Sequence, residues 1–206
     1  METSLDIASN TITKFEIYLK FIIYYTRSMS HSSDVSGSLD QEISTTVHLP
    51  IRGVTTESLD NQIVRQLKLN EEGVCGKYGY VIPNTIKLCE RSMPRITTTD
   101  NQSVIECHVK YSFESIYPCE GDEFECVIQN TTKSGMIGYL PTKDTESMDH
   151  DEALGKSPIV FIIPHELSPG INESQKRRGT KVTVTVLDSR IQYHSKQMRA
   201  VAKYSV

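Results

Sequence analysis

The chain has 206 residues, of which 37% are hydrophobic and 23% charged, and its formal net charge is −4. This length can hold one domain or two small ones, and the composition is that of a soluble globular protein with a sizeable core. It excludes a mainly disordered or low-complexity chain, and so small a net charge does not identify a partner.

Charge is unevenly distributed along the second half of the sequence. Residues 114–152 contain ten acidic side chains against Lys133 and Lys143, whereas residues 171–206 contain eight basic side chains against Glu173 and Asp188. An acidic region beside a basic one is the pattern of a protein with a polyanion-binding face and a separate protein-facing side.

The N-terminal region carries one apolar stretch, FEIYLKFIIYY, at residues 15–25. It has about half of the roughly 20 apolar residues that a membrane span requires, and the residues after it do not form a signal-peptide cleavage site. We expect this stretch to be an extra helix packed on the domain or part of an extension that does not conform to the fold. Alternatively, translation begins at Met29, and the first 28 residues lie outside the functional protein. Residues 28–42 have the composition of a disordered linker, so residues 1–43 are predicted to be an extension with no membrane role.

The five cysteines are odd in number, and no two are spaced as C-x-x-C. This argues against a disulfide framework and against a zinc ribbon. We expect buried thiols in a reducing compartment. The cysteines are Cys75, Cys89, Cys107, Cys119 and Cys126.

Residues 44–113 predict a small α+β domain. A short strand at 44–49 precedes a helix at 56–69, in which apolar residues recur at four-residue spacing on one face. Two further strands are predicted at 80–88 and 104–113, with residues 91–101 as a loop between them. One helix packed on a small antiparallel sheet is sufficient for such a domain.

Residues 114–206 predict an all-β barrel. An acidic glycine turn at 120–122 opens this part, residues 130–135 join its first two strands as a hairpin, and 142–156 and 164–179 are expected to be surface loops. Five short strands with one long connection suit a Greek-key barrel of the OB type. The predicted strands are 123–129, 136–140, 159–163, 181–187 and 198–204.

A glycine-punctuated segment, EGVCGKYGY at 72–80, lies between the predicted helix and the next strand. Gly73, Gly76 and Gly79 recur every third residue, which suits tight backbone geometry and positive φ angles. The spacing matches neither G-x-G-x-x-G nor G-x-x-x-x-G-K-[ST], so the segment is not predicted to cradle a phosphate.

Three segments resemble one known family, the stalk subunit of multisubunit DNA-directed RNA polymerases, which includes the seventh subunit of RNA polymerase II and its counterparts in archaea and large DNA viruses. EGVCGKYGYVI at 72–82 is similar to the family's tip loop. The stretch 109–140 is similar to its junction into the OB domain, and GTKVTVTVLDSRI at 179–191 to a late strand that ends in arginine. The resemblance covers residues 44–206, but the stretch after Leu140 lacks the family's glycine–proline and aromatic run.

The resemblance implies an N-terminal tip domain at 44–113 and an OB-fold domain at 114–206. It also implies a non-catalytic role in transcription initiation and transcript handling, with the tip docked on the polymerase core and a fourth-subunit-like partner along the edge of both domains. The polymerase would lie in the nucleus for a cellular chain, and at a cytoplasmic replication site or in the virion for a viral one. The docking residues are predicted to be Gly73, Gly76, Lys77, Tyr78 and Gly79.

An OB face that binds single-stranded RNA combines stacking aromatic rings with cations that meet phosphates. The sequence offers both residue types on the first barrel hairpin and around the last two strands. The candidate RNA-binding residues are Lys133, Tyr139, Lys181, Arg190, Tyr193, His194, Lys196 and Arg199.

Catalytic patterns such as G-x-S-x-G, H-E-x-x-H or a Walker motif do not occur. Cys107 and His108 are neighbours in a strand and are expected to point to opposite faces, so they do not form a nucleophile–base pair. The run 149–152 (DHDE) lies on a predicted loop and is not expected to hold a metal ion. We therefore expect no enzyme activity, cofactor or small-molecule substrate.

Two alternatives remain open from the sequence. The chain could be a free-standing OB-fold protein that binds single-stranded RNA or takes part in translation. Separately, the glycine segment could be a strained turn, with Tyr78 packed on its own domain, rather than a docking tip.

Overall fold

The computed structural model describes residues 37–51, 56–99, 102–172 and 174–205. The apolar stretch at 15–25, the alternative start at Met29 and most of the predicted extension lie outside the described residues. The described part of the chain belongs to one compact unit.

The first half is a six-stranded sheet with one helix. Its central strand, β6, pairs along its whole length with β1, in antiparallel register from Ser38 opposite Ile116 to Pro50 opposite Val104. The other edge of β6 is shared in succession by β5, β4 and β3, and β2 pairs with β3. The elements are β1 (Ser38–Pro50), α1 (Thr56–Glu71), β2 (Cys75–Gly76), β3 (Gly79–Val81), β4 (Lys87–Arg91), β5 (Arg95–Thr99) and β6 (Gln102–Ile116).

Helix α1 confirms the prediction from apolar spacing. Leu59, Ile63 and Leu67 are all buried and belong to the same core cluster as the inward-facing residues of β6. On β6 that face consists of alternate residues, so Cys107 is buried while His108 is exposed, as the strand period predicts. The helix therefore covers one face of the sheet.

The second half is a closed five-stranded barrel. Along the barrel wall the strands run β7, β8, β9, β11 and β10, which pairs again with β7. All pairs are antiparallel except β9 with β11. The elements are β7 (Glu123–Thr132), β8 (Gly135–Tyr139), α2 (His150–Lys156), β9 (Ile159–Pro164), β10 (Lys181–Arg190) and β11 (Met198–Tyr204).

All five predicted barrel strands are confirmed. Inward-facing residues such as Val182, Val184 and Val186 alternate with exposed or half-buried ones, and they fill the barrel core with Phe124 and Phe161. The described chain is thus mostly β, with two helices, and its closed barrel is compatible with an OB fold. Neither of these helices is long and apolar enough to cross a bilayer.

Several boundaries predicted from sequence are wrong. The predicted strand at 80–88 is two strands, β3 and β4, because the chain turns at Pro83 and Asn84, where Asn84 has a φ of 64°. The predicted loop at 91–101 contains β5, which pairs with β6 over Arg95 to Thr99. The segment 91–101 is mostly polar, so its strand depends on pairing with β6 rather than on its own pattern.

Three further predictions need correction. Residues 38–43, predicted as linker, begin β1, since their backbone pairs with the last third of β6. The predicted acidic loop 142–156 ends in α2, capped by the Asp149 carboxylate, which accepts a hydrogen bond from the amide of Asp151. The hairpin loop predicted at 130–135 is shorter, with Lys133 and Ser134 alone between β7 and β8.

The cysteines are all free, and four of them are buried as predicted. Cys89 is the exception, because it lies exposed on β4.

Candidate nucleic-acid interface and docking hairpin

The glycine segment forms a tight β-hairpin at the end of α1. Strands β2 and β3 pair Cys75 with Tyr80 and Gly76 with Gly79, which leaves Lys77 and Tyr78 as the turn. Four of the five predicted docking residues, from Gly76 to Gly79, therefore meet at the tip of one hairpin, and Gly73 precedes it.

The glycines of this hairpin have different structural roles. Gly79 has a φ of +98°, and a Cβ on it would lie 2.2 Å from the carbonyl oxygen of Ile116, so only glycine fits there. Gly73, after the helix, has a φ of +71°, whereas a Cβ on Gly76 would meet nothing within 4 Å. The sequence predicted tight geometry at all three positions, and the structure requires a glycine most strictly at Gly79.

Lys77 and Tyr78 differ in exposure at the turn. Lys77 is exposed, and its Nζ lies 4.6 Å from the centre of the Tyr78 ring. Tyr78 is half-buried, with its ring centre 6.1 Å from that of Phe113 on β6. Tyr78 thus packs on its own sheet, which is the arrangement that the second sequence interpretation expected.

A barrel loop, residues 191–197, is bonded to the hairpin through the backbone. The amide of Cys75 donates to the carbonyl oxygen of Ser195 at 2.8 Å, and the amide of His194 donates to the carbonyl oxygen of Cys75 at 2.9 Å. Burial raises the pKa of the Cys75 thiol to about 11. The joint between hairpin and barrel is therefore a backbone-bonded contact, and the Cys75 thiol within it is neutral at ordinary pH.

A cavity of about 650 Å³ opens beside this joint. Its walls come from the middle of β1, the end of α1, the glycine hairpin, β6 and the 191–197 loop. The predicted docking residues Lys77 and Tyr78 and the predicted RNA-binding residues Tyr193 and His194 line this same cavity. The sequence assigned the two sets to separate surfaces, and nothing in their spacing indicated that they would meet.

Leu69 is one of the cavity residues that were not predicted from the sequence. It ends the predicted helix, is 72% exposed and lines the cavity at the end of α1. Tyr193, which lines the same cavity from the 191–197 loop, is 62% exposed. Two large exposed side chains beside a concave site are typical of a binding surface.

The basic residues near the 191–197 loop include a cross-strand pair of arginines. Arg190, at the end of β10, lies directly opposite Arg199 on β11, and both are exposed. Residues directly opposite in an antiparallel pair project to the same face, so the two guanidinium groups share one surface and repel each other. Lys196 is exposed on the loop between these strands.

Lys133 lies at the other end of the barrel. It precedes Gly135, which pairs with Pro164 at the end of β9, whereas the 191–197 loop precedes Met198, which pairs with Ile159 at the start of β9. Lys133 and the cations at the 191–197 loop therefore lie at opposite ends of one strand.

Lys181 is engaged by an acidic side chain. Its Nζ lies 2.9 Å from a carboxylate oxygen of Glu125 on β7, and the hydrogen bond to this carboxylate raises the pKa of Lys181. This contact reduces the charge that Lys181 can offer to a polyanion.

Tyr139 does not fit the stacking role predicted for it. The residue is 4% exposed and packs with Val127 and Ala153 beneath α2. Its hydroxyl hydrogen-bonds Nδ1 of His150 at 2.9 Å, and burial raises its pKa. A ring covered by a helix cannot stack on a base, so Tyr139 is removed from the candidate RNA-binding residues.

The acidic stretch that contains α2 is joined to the basic segment by an ion-pair cluster. Arg178 contacts Asp149 at 3.3 Å and Asp151 at 2.9 Å. Hydrogen bonds to Asp151 from the side-chain amide of Gln129, which has the larger effect, and from the Arg178 guanidinium lower the pKa of this carboxyl group. The run 149–152 therefore starts a helix and pairs with an arginine, and within the described residues no group of three potential ligands is arranged for a metal ion.

No known protein family's sequence profile matches this chain, and no curated protein is found to be similar to it.

Proposed function

We propose that this chain is a non-catalytic stalk subunit of a DNA-directed RNA polymerase, acting in transcription initiation and transcript handling. One observation carries the proposal: a helix-covered sheet is followed by a closed five-stranded barrel, with the glycine hairpin at their junction. This is the order of tip domain and OB-fold domain that the resemblance implies for residues 44–113 and 114–206.

The barrel supports the RNA-binding part of the proposal. OB-fold barrels bind oligonucleotides through the face of their second and third strands and through the loops between strands one and two and between strands four and five. In this barrel those loops contain Lys133 and residues 191–197. Lys196, Arg190 and Arg199 provide exposed positive charge at the second loop, where nascent RNA would be held by its phosphates.

The hairpin supports the docking part. Lys77 is an exposed cation at the tip of a hairpin whose backbone is fixed by Gly79 and by the bonds to the 191–197 loop. A preorganised tip loses little entropy on binding, so it suits a docking contact with the polymerase core. A fourth-subunit-like partner would bind elsewhere along the sheet and barrel.

Affinity purification of the tagged full chain from its native source, followed by mass spectrometry, tests the proposal. We expect the large polymerase subunits to be recovered with the unchanged chain and lost with Lys77→Glu. Lys87→Glu is the matched control, because Lys87 is an exposed lysine on β4 outside the cavity. If the unchanged chain recovers no polymerase subunit, the stalk assignment fails.

A second candidate function is a free-standing OB-fold protein that binds single-stranded RNA. The packing of Tyr78 against Phe113 and the bond from Cys75 to Ser195 favour it, since both give the hairpin a structural role without any polymerase. Recovery of ribosomal or RNA-bound proteins alone in the same purification would support this candidate.

A further inference from the structure

We propose that the cavity beside the glycine hairpin is a pocket for one unpaired RNA base, and that the Arg190–Arg199 pair holds the adjoining phosphates. The inference deepens the proposed function and rests on its RNA-binding part. It assigns a specific base-binding site to a place where OB-type loops meet a second structural unit.

The size and lining of the cavity suit a heterocyclic ring. Its volume of about 650 Å³ lies within the range of about 300–1,000 Å³ typical of small-molecule pockets. Tyr111 and Phe113 lie behind the cavity wall as buried core residues, so the rings that can meet a base are the exposed Tyr193 and the half-buried Tyr78. Base–aromatic stacking is the main source of affinity in sequence-tolerant binding of single-stranded RNA.

Polar side chains also line the cavity. Asn70 and Glu71 at the end of α1 and Thr45 on β1 line the same cavity. Amide, carboxylate and hydroxyl groups hydrogen-bond the Watson–Crick edge of unstacked bases. A base can use these groups as hydrogen-bond partners, whereas an aliphatic side chain of a protein partner cannot, so the lining favours a base.

Positive charge continues outward from the cavity. Tyr193 and His194 lie on the loop that also carries Lys196, and this loop leads into β11, where Arg199 lies opposite Arg190. Within the described residues, no ion pair joins either arginine to an acid. A base in the cavity would therefore be followed by a strip of cations able to contact its phosphates.

The absence of tryptophan from the chain allows a direct test of stacking. The indole of a Tyr193→Trp variant would be the sole tryptophan fluorophore, placed at an exposed position on the cavity wall. We expect short single-stranded oligoadenylate to quench its emission. The control is Ile162→Trp, at a 41% exposed position on β9 outside the cavity, whose emission should change little.

Two substitutions test occupancy by affinity, with fluorescence anisotropy of labelled oligoadenylate as the measurement. Tyr193→Ala removes the stacking ring, and Gly76→Leu fills the cavity from a position where a Cβ meets no neighbour. Each is expected to weaken binding about tenfold. Gly155→Leu is the matched control, because Gly155 on α2 is equally open and lies outside the cavity.

The outcomes separate this inference from the function on which it rests. Quenching confined to Tyr193→Trp, with weaker binding by Gly76→Leu, supports the base pocket. Oligoadenylate that binds every variant equally without quenching overturns the pocket and leaves the RNA-binding function standing. If neither the unchanged chain nor any variant binds, the RNA-binding function itself fails. If Gly76→Leu binds RNA as tightly as the unchanged chain but no longer recovers polymerase, the base pocket is overturned. The cavity would then hold a side chain of a protein partner.

Discussion

The amide of Cys75 donates a 2.8 Å hydrogen bond to the carbonyl oxygen of Ser195, and this bond joins the glycine hairpin to the barrel. A second bond, from His194 to the carbonyl oxygen of Cys75, completes the contact. The hairpin is therefore part of a rigid junction, and a ligand that meets its inner side also meets the 191–197 loop. Docking and RNA contact, if both occur here, are expected to influence each other.

The first prediction concerns the strict requirement for glycine at position 79. Gly79→Ala should lower the free energy of unfolding by about 2 kcal/mol, because the added Cβ meets the backbone of Ile116 at a positive φ. The midpoint of urea unfolding measures the change. Gly76→Ala, with open space around its Cβ, should shift the midpoint little, and equal losses in both variants would contradict this account of the hairpin.

The second prediction separates the two interpretations of Tyr78. Tyr78→Ala should cost about 1 kcal/mol of unfolding free energy, because it removes the ring contact with Phe113. Tyr78→Phe keeps the ring and should be close to neutral. If Tyr78→Ala unfolds at the same urea concentration as the unchanged chain, the ring has no structural role and an interface role becomes the better explanation.

The third prediction is that a substitution in the Arg190–Arg199 pair raises stability and lowers RNA affinity. Arg199→Glu places an acid opposite Arg190 and should raise the free energy of unfolding by about 0.5 kcal/mol, since opposite charges replace like ones. RNA affinity should fall and depend less steeply on salt concentration. The measurements are urea unfolding and anisotropy of labelled RNA at several salt concentrations.

The control for these opposite changes in stability and RNA affinity is Lys181→Glu. It breaks the pair with Glu125 and places like charges together, so stability should fall while RNA affinity changes less than in Arg199→Glu. If Arg199→Glu leaves both the affinity and its salt dependence unchanged, the arginine pair is not part of the RNA-binding surface.

The fourth prediction concerns alkaline pH. Burial raises the pKa of Cys75 to about 11 and that of Cys126 to about 12, while the same thiols in the unfolded chain ionise near an ordinary pKa of about 8.5. As the pH rises, the thiols of the unfolded chain therefore lose their protons first. The stability that each neutral buried thiol contributes is complete below a pH of about 8.5. It is lost as pH rises towards the folded pKa, at up to about 1.4 kcal/mol per pH unit and thiol.

Urea midpoints measured from neutral pH to pH about 10.5 test this slope. Cys126→Ala should make the alkaline slope shallower, whatever its effect on the midpoint at neutral pH. Cys89→Ala should leave the slope unchanged, because Cys89 is exposed. An identical slope in both variants would show that other groups, such as tyrosines, govern alkaline unfolding.

Much of the architecture was predictable from the sequence because its signals are local. Leu59, Ile63 and Leu67 recur with the period of a helix, and residues 181–187 alternate with the period of a strand. Such patterns depend only on which side of an element faces the core. They located α1 and the five barrel strands, and they separated the sheet half of the chain from the barrel half.

The elements that were missed depend on distant partners. Strand β5 is a run of polar residues that becomes a strand by pairing with β6, and the first residues of β1 pair with its far end. Tyr139 has the residue type of a stacking aromatic, yet α2 covers it. Pairing with a distant strand and burial under a helix do not produce a periodic pattern in the sequence of the segment itself.

For the candidate site, the residue types were readable from the sequence, whereas their arrangement depends on the folded chain. The glycine segment, Tyr193 and the basic residues near the end of the chain were identifiable by type and spacing. The convergence of the glycine segment and Tyr193 on one cavity, and the position of Arg190 opposite Arg199, follow from barrel closure and from backbone hydrogen bonds between Cys75 and the 191–197 loop. Backbone bonds are available to nearly every residue type, so the contacts that assemble this site are not encoded in any local pattern of side chains.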